Sequence, residues 1–108
     1  MSKPYEVSQP DRVAVDGLAG ATLLDFGTDW CGHCEAAKPL VDEAVRGRAV
    51  RHLKVEDGKG RPLGRSFGVK LWPTLVFLRD GVEVARLVRP ASAAMIEQAL
   101  DSLEAARS

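Results

Sequence analysis

Two cysteines separated by two residues are the groups best able to do chemistry in this 108-residue chain, and they are its only two, Cys31 and Cys34. Cysteines scattered at random would reach that spacing about one time in fifty. A bridge closing so short a loop removes little chain entropy, so structural stapling explains the pair poorly. Reversible disulfide exchange explains it better: one thiolate attacks a disulfide, and a second sulfur close behind releases what the first has captured. Zinc is the competing use of such a pair, but a tetrahedral site needs two further ligands. Only His33 and His52 remain as candidates, and His33 lies inside the pair, where its side chain is poorly aimed. No metal site is expected.

The neighbouring sequence would position these sulfurs. Ala21 to Phe26 is a nearly continuous apolar run, the pattern of a strand buried on both faces, interrupted only by Asp25. After the cysteines, Ala36, Ala37, Leu40, Val41, Ala44 and Val45 fall on one face of a helix, with Pro39 inside it as a kink and Gly47 as a stop. Cys31 would then sit at the helix N-terminus, where unpaired N–H groups and the helix dipole favour an anion, here a thiolate. Cys34 would lie one turn further in and more buried, and Gly32 keeps the bend compact.

Further along, Val50, Leu53 and Val55 suggest a short strand. Glu56 to Gly64 reads as loop, and the stretch around Leu63 to Phe67 as a short helix. Thr74 to Leu78 is a second buried run. Asp80-Gly81 signals a hairpin, with Val82, Val84 and Leu87 on the return strand. Ser92 can cap a last helix striped by Met95, Ile96, Ala99, Leu100 and Leu103. Before Ala21 the pattern is ambiguous, with Tyr5 to Val7 fitting an edge strand and Val13 to Leu18 a short helix. The resulting order, (β)α–β–α–β–α–β–β–α, is that of an α/β domain.

Length and composition agree with one compact domain spanning 1–108. Fifteen basic and fifteen acidic side chains cancel, and no basic block marks a nucleic-acid or membrane surface. No apolar run approaches a membrane span. The polar stretch from Met1 to Pro10 lacks the core of a secretory signal, which points to the cytoplasm. No nucleotide or flavin fingerprint is present, so no cofactor is expected and reducing equivalents must come from a partner.

Trp30-Cys31-Gly32-His33-Cys34 resembles the active-site motif of the thioredoxin superfamily, and the resemblance extends from about Ala21 to the C-terminus. Leu24-Asp25-Phe26 is similar to the family's strand with its buried acid, and Pro39 to its helix proline. Trp72-Pro73-Thr74 is similar to its cis-proline loop facing the cysteines, and Lys54 falls where the family places a lysine near the acid. The resemblance implies a thioredoxin fold, with a central mixed sheet of four to five strands and helices on both faces. It implies a monomer that acts on disulfide-containing proteins and is recharged by an NADPH-dependent thioredoxin reductase. Cys31 would be the nucleophile and Cys34 the resolving thiol. Asp25 would move a proton to and from Cys34 through water, and burial of a carboxyl group, which disfavours its charged form, suits that role. Lys54 would modulate Asp25. Pro73 would expose the backbone of Trp72 as an edge for substrate main chain.

Bland alternatives stand beside several of these roles. Asp25 could be a strand residue bonded only to backbone, Lys54 a solvated lysine, and Trp30 and Trp72 core aromatics. Otherwise Trp30 shields one side of the site. His52 has no evident partner. Between the cysteines this chain carries Gly32-His33, as protein disulfide isomerase domains do, where thioredoxins carry Gly-Pro. A histidine cation beside Cys31 favours the thiolate and makes the disulfide a better oxidant. Three positions depart from the thioredoxin pattern: Gly27 replaces a tryptophan, Trp72 replaces an aliphatic residue, and Val88-Arg89-Pro90 replaces a Val-Gly step. Trp72 and Arg89 would place an indole and a cation beside the groove and favour acidic or aromatic substrate segments. A cytoplasmic disulfide reductase is the leading expectation. An oxidase or isomerase of an oxidising compartment, or a binding module with dispensable cysteines, are the alternatives.

Overall fold

The computed structural model describes residues 4–106. Eight elements follow one another: α1 (Arg12–Asp16), β1 (Ala21–Gly27), α2 (Gly32–Val45), β2 (Arg51–Glu56), α3 (Pro62–Ser66), β3 (Thr74–Arg79), β4 (Val82–Val88) and α4 (Ala93–Ala105). The strands form one sheet in the order β2-β1-β3-β4. β1 runs parallel to β2 and antiparallel to β3, and β3 runs antiparallel to β4. The sheet is therefore mixed and four-stranded. The expected fifth strand at Tyr5 to Val7 is reduced to a single parallel bridge, Glu6 with Val55, on the outer edge of β2.

The two apolar runs become the two central strands because both of their faces are covered. Leu23, Leu75 and Phe77 point into a core closed by Val41 and Ala44 of α2 and by Ile96, Ala99, Leu100 and Leu103 of α4. Leu24, Phe26, Val76 and Leu78 point the other way, onto Val15, Leu63 and Phe67 from α1 and the α3 region. β4 is an edge strand, so its residues alternate poorly and Val82 stays exposed. Asp80 and Gly81 take positive φ in the β3–β4 turn, as their sequence requires. The Ser92 side chain accepts the Met95 N–H and caps α4.

Smaller expectations need correction. Ala36 is exposed, because the buried stripe of α2 is Cys34, Ala37, Val41 and Ala44. Met95 is exposed too, since it lies in the first turn of α4 beyond the edge of the core. Val50 precedes β2, and the loop after it ends at Arg61, where Pro62 opens α3. Helix α2 continues through Pro39, which forgoes one backbone hydrogen bond to the preceding turn without ending the helix. Among the described residues no helix is long and apolar enough to cross a membrane.

Candidate active site

β1 ends at Gly27, and a four-residue turn delivers Cys31 to the mouth of α2. Cys31 has extended backbone (φ −88°, ψ 122°) and is the N-cap of the helix, with its Sγ accepting the Cys34 N–H at 3.3 Å. In most helices that place belongs to a hydroxyl or carboxylate oxygen. A sulfur held there meets a helix N–H that has no partner within the helix and lies at the positive end of the helix dipole. Cys34 is fully buried one turn inside. Loss of hydration, then hydrogen bonding with Cys31, push its thiol up to about 12, opposed by bonds from the Thr28 backbone and Tyr5. Both cysteines are free thiols. The fold thus differentiates the two sulfurs, one capping the helix and the other buried a turn behind it and held protonated. Gly32 and His33 occupy the exposed first turn of α2.

Asp25 lies two residues before the end of β1, on the face that carries Leu23 toward α2. Its carboxylate is not bonded merely to backbone. Tyr5 Oη donates to Asp25 Oδ1 at 2.8 Å, and His52 Nε2 stands 3.6 Å from Oδ2. His52 therefore has the partner that the sequence did not suggest, and parallel pairing of β1 with β2 supplies it. The same pairing sets Lys54 opposite Asp25. Lys54 is not a solvated lysine: it is buried, and its Nζ lies 4.4 Å from the centre of the Tyr5 ring. Desolvation lowers its tendency to hold a proton, and Asp25 opposes that shift.

Tyr5 was missed by sequence reasoning as a site residue. The N-terminal segment runs along β2, with the Glu6 N–H donating to the Lys54 carbonyl and the Glu56 N–H to the Glu6 carbonyl. The Tyr5 N–H donates to Asp29 Oδ1 at 3.1 Å. These bonds insert the Tyr5 ring against Cys31 and Cys34 in one buried cluster. The ring needs Gly27: a Cβ there would meet Cys34 Sγ at 2.6 Å and Tyr5 Oη at 2.7 Å. The available sequence signal was paired, a glycine in place of a large aromatic and a lone tyrosine near the N-terminus.

Trp72 packs against the cysteine cluster, and the Trp72–Pro73 peptide bond is cis. Its indole Nε1 donates to Asp57 Oδ2 at 2.8 Å, and its ring meets that of Trp30 edge-on at 5.6 Å. Trp30 is 76% exposed and so is not a core residue. Arg89 adopts a positive φ of 50°, the region where glycine is at ease. Its Nε donates to the Trp72 carbonyl at 2.8 Å, and its N–H to the Pro73 carbonyl at 3.0 Å. The cation is tied to the backbone of the cis-proline loop. Among the described residues no group of three or more His, Cys, Asp or Glu side chains could hold a metal ion.

A thioredoxin family profile matches residues 12–102. Thioredoxin of Chlamydia muridarum is 35% identical over 85 residues, which cover 77% of this chain and 82% of that one. A chicken protein disulfide-isomerase is 35% identical over 68 residues, 58% of this chain but 13% of that protein. Among solved structures, thioredoxin 2 of Pseudomonas aeruginosa PAO1 in its reduced form superposes with a TM-score of 0.86 at 62% identity, covering 95% of this chain and 96% of that one. The profile, the shared architecture and the unequal environments of the two sulfurs agree, and this chain belongs to the thioredoxin family of thiol–disulfide oxidoreductases.

Proposed function

We propose that this protein reduces disulfides in protein substrates, with Cys31 as the attacking sulfur and Cys34 as the resolving one. The observation that carries the reading is the Cys31 Sγ seated as the N-cap of α2 while Cys34 is wholly buried one turn behind. The Cys31 thiolate attacks one sulfur of the substrate disulfide, and the other leaves as a thiolate that takes a proton from water. Cys34 then gives up its proton and attacks Cys31 Sγ. The Cys31–substrate bond breaks, the second substrate thiolate departs, and Cys31–Cys34 is left oxidised. Asp25 receives the Cys34 proton, and Lys54 sets the charge around Asp25.

Trp72 and Pro73 offer backbone to an extended substrate segment beside the cysteines, with Trp30 forming the opposing lip. Arg89 holds the Trp72 carbonyl and regulates access to that edge. A thioredoxin reductase returns the two electrons, and the protein works as a monomer in the cytoplasm. Insulin reduction driven by NADPH and a thioredoxin reductase tests this. Activity that vanishes in Cys31→Ser supports the reading, and activity that survives would make the chain a binding module.

A second reading, a disulfide oxidase or isomerase, is favoured by His33 alone. His33 sits exposed in the first turn of α2, beside Cys31, where its cation favours the dithiol form. A reduction potential near that of thioredoxins, about −270 mV, supports the reductase, and one near about −180 mV the alternative.

A further inference from the structure

We propose that Tyr5 is a proton-relay residue, its hydroxyl carrying the Cys34 proton to Asp25 without a bridging water. The proposal rests on the dithiol reading above and names a group that reading does not need. Tyr5 Oη donates to Asp25 Oδ1 at 2.8 Å inside the protein. The same ring packs with Cys34 in one buried cluster, and its hydroxyl and the Cys34 sulfur border the same point beside Gly27, where an added Cβ would lie 2.7 Å from Tyr5 Oη and 2.6 Å from Cys34 Sγ. Hydrogen bonding with the Tyr5 hydroxyl favours the Cys34 thiolate. Tyr5 itself is buried beside a carboxylate and a thiol, and all three conditions hold its own proton on. A hydroxyl that holds its proton more tightly than usual, placed beside a thiol and a carboxylate, is suited to pass one proton on as it takes up another.

The step balances. As the Cys34 S–H proton moves to Tyr5 Oη, the Tyr5 O–H proton moves to Asp25 Oδ1. Tyr5 is neutral before and after, Asp25 becomes a carboxylic acid, and Cys34 becomes the thiolate that attacks Cys31 Sγ. The departing substrate thiolate takes a proton from water, and Asp25 later returns its proton to water. The charged and titratable groups facing this path are His52 and Lys54 from β2, Cys31, Lys38 and Asp42 from α2 and Asp29 from the turn before it.

Gly27 gives the arrangement its sequence logic. In this chain the position carries no side chain, and the ring of Tyr5 takes the space. The N-terminal segment is pinned to β2 by two backbone hydrogen bonds, at 2.8 and 2.9 Å. Those bonds place the hydroxyl, so the residue acts by position as well as by chemistry.

A bis(thionitrobenzoate) disulfide separates the two steps in one stopped-flow trace. The first thionitrobenzoate leaves when Cys31 attacks, and the second when Cys34 resolves. Tyr5→Phe keeps the ring and removes the hydroxyl. The relay predicts a second release slowed about ten- to hundredfold at pH 7 relative to the first, which needs no Cys34 proton and serves as the internal reference. It also predicts that the second release becomes fast only at higher pH, and that Tyr5→Phe with Asp25→Asn is no slower than Asp25→Asn alone. A second release with unchanged rate and pH profile in Tyr5→Phe would overturn the relay. Absence of the first release from the unaltered chain would overturn the dithiol reading itself. Tyr5 is the chain's only tyrosine, so uniform incorporation of 3-fluorotyrosine acidifies that hydroxyl alone and keeps its packing. The relay predicts a changed rate and pH profile for the second release there too, and an unchanged profile contradicts it even if Tyr5→Phe fails to fold.

Discussion

Adding one methyl group at Gly27 tests the packing on which the site depends. Gly27 lies in β1 and does not adopt a positive φ. At such positions Gly→Ala ordinarily stabilises a protein by about 0.4–1 kcal/mol, by restricting the unfolded chain. Here the new Cβ would stand 2.6 Å from Cys34 Sγ, 2.7 Å from Tyr5 Oη and 2.8 Å from Tyr5 Cζ. Unstrained carbon contacts lie near about 3.5–4.0 Å, so the sulfur, the ring or the strand must move by roughly 1 Å. Overpacking of that kind costs about 1–3 kcal/mol. At about 4–8 °C per kcal/mol for a domain near this size, the expected fall in Tm is roughly 4–24 °C. Thermal unfolding followed by circular dichroism reads it directly. A double-mutant cycle locates the cause: Tyr5→Ala removes two of the three clashing atoms, so Gly27→Ala should cost at least about 1 kcal/mol less in that background. A Gly27→Ala variant as stable as the parent, or a cycle that closes additively, would refute the reasoning.

Three further outcomes follow from the same geometry. Cys34 is raised from its ordinary 9.0 to about 12, and Tyr5 is raised as well. Their contribution to stability is therefore whole below pH 9 and is lost as pH climbs toward 12. Lys54, shifted down, acts with the opposite sign, so the readout is the difference between denaturant unfolding of the parent and of Cys34→Ala, which should shrink across that window. Replacing Arg89 by Gly removes a side chain from a φ of 50° and frees the Trp72 carbonyl. KM for insulin should fall while the rate with a small aryl disulfide stays the same, and equal change in both would remove Arg89 from substrate access. Replacing His33 by Pro should lower the Cys31–Cys34 potential by a part of the roughly 90 mV separating the two redox families. A glutathione titration checks this, and an unchanged potential excludes His33 from redox tuning.

The elements that position the sulfurs were legible because their signals are local. The runs at Ala21 to Phe26 and Thr74 to Leu78 owe their apolar character to two covered faces, and Asp80-Gly81 and Ser92 act within a few residues of themselves. Cys31 and Cys34 announce themselves by spacing, the helical pattern after them already sets Cys31 at the helix N-terminus, and the structure adds the N-cap bond from the Cys34 N–H. The rest of the site depends on pairings between distant segments, which leave no periodic trace. Lys54 looks like any strand lysine until β2 aligns it with Asp25 and Tyr5 covers it. His52 reaches Asp25 through the same register. Tyr5 lies in a short segment that fits an edge strand and is joined to the sheet by one bridge, and nothing local in it tells that the ring reaches the cysteines. Arg89 could be placed beside the groove from sequence, but not its hydrogen bond to the Trp72 carbonyl, because that bond depends on where β4 ends relative to the loop before β3.

Trapping the covalent intermediate tests the division of labour between the sulfurs most directly. In Cys34→Ser, a peptide disulfide should accumulate as a stable mixed disulfide on Cys31, located by mass spectrometry of proteolytic fragments. In Cys31→Ser, no adduct should form at neutral pH, because the remaining thiol is buried and holds its proton up to about 12. An adduct found on Cys34 in Cys31→Ser at a comparable rate, or none on Cys31 in Cys34→Ser, would contradict the account.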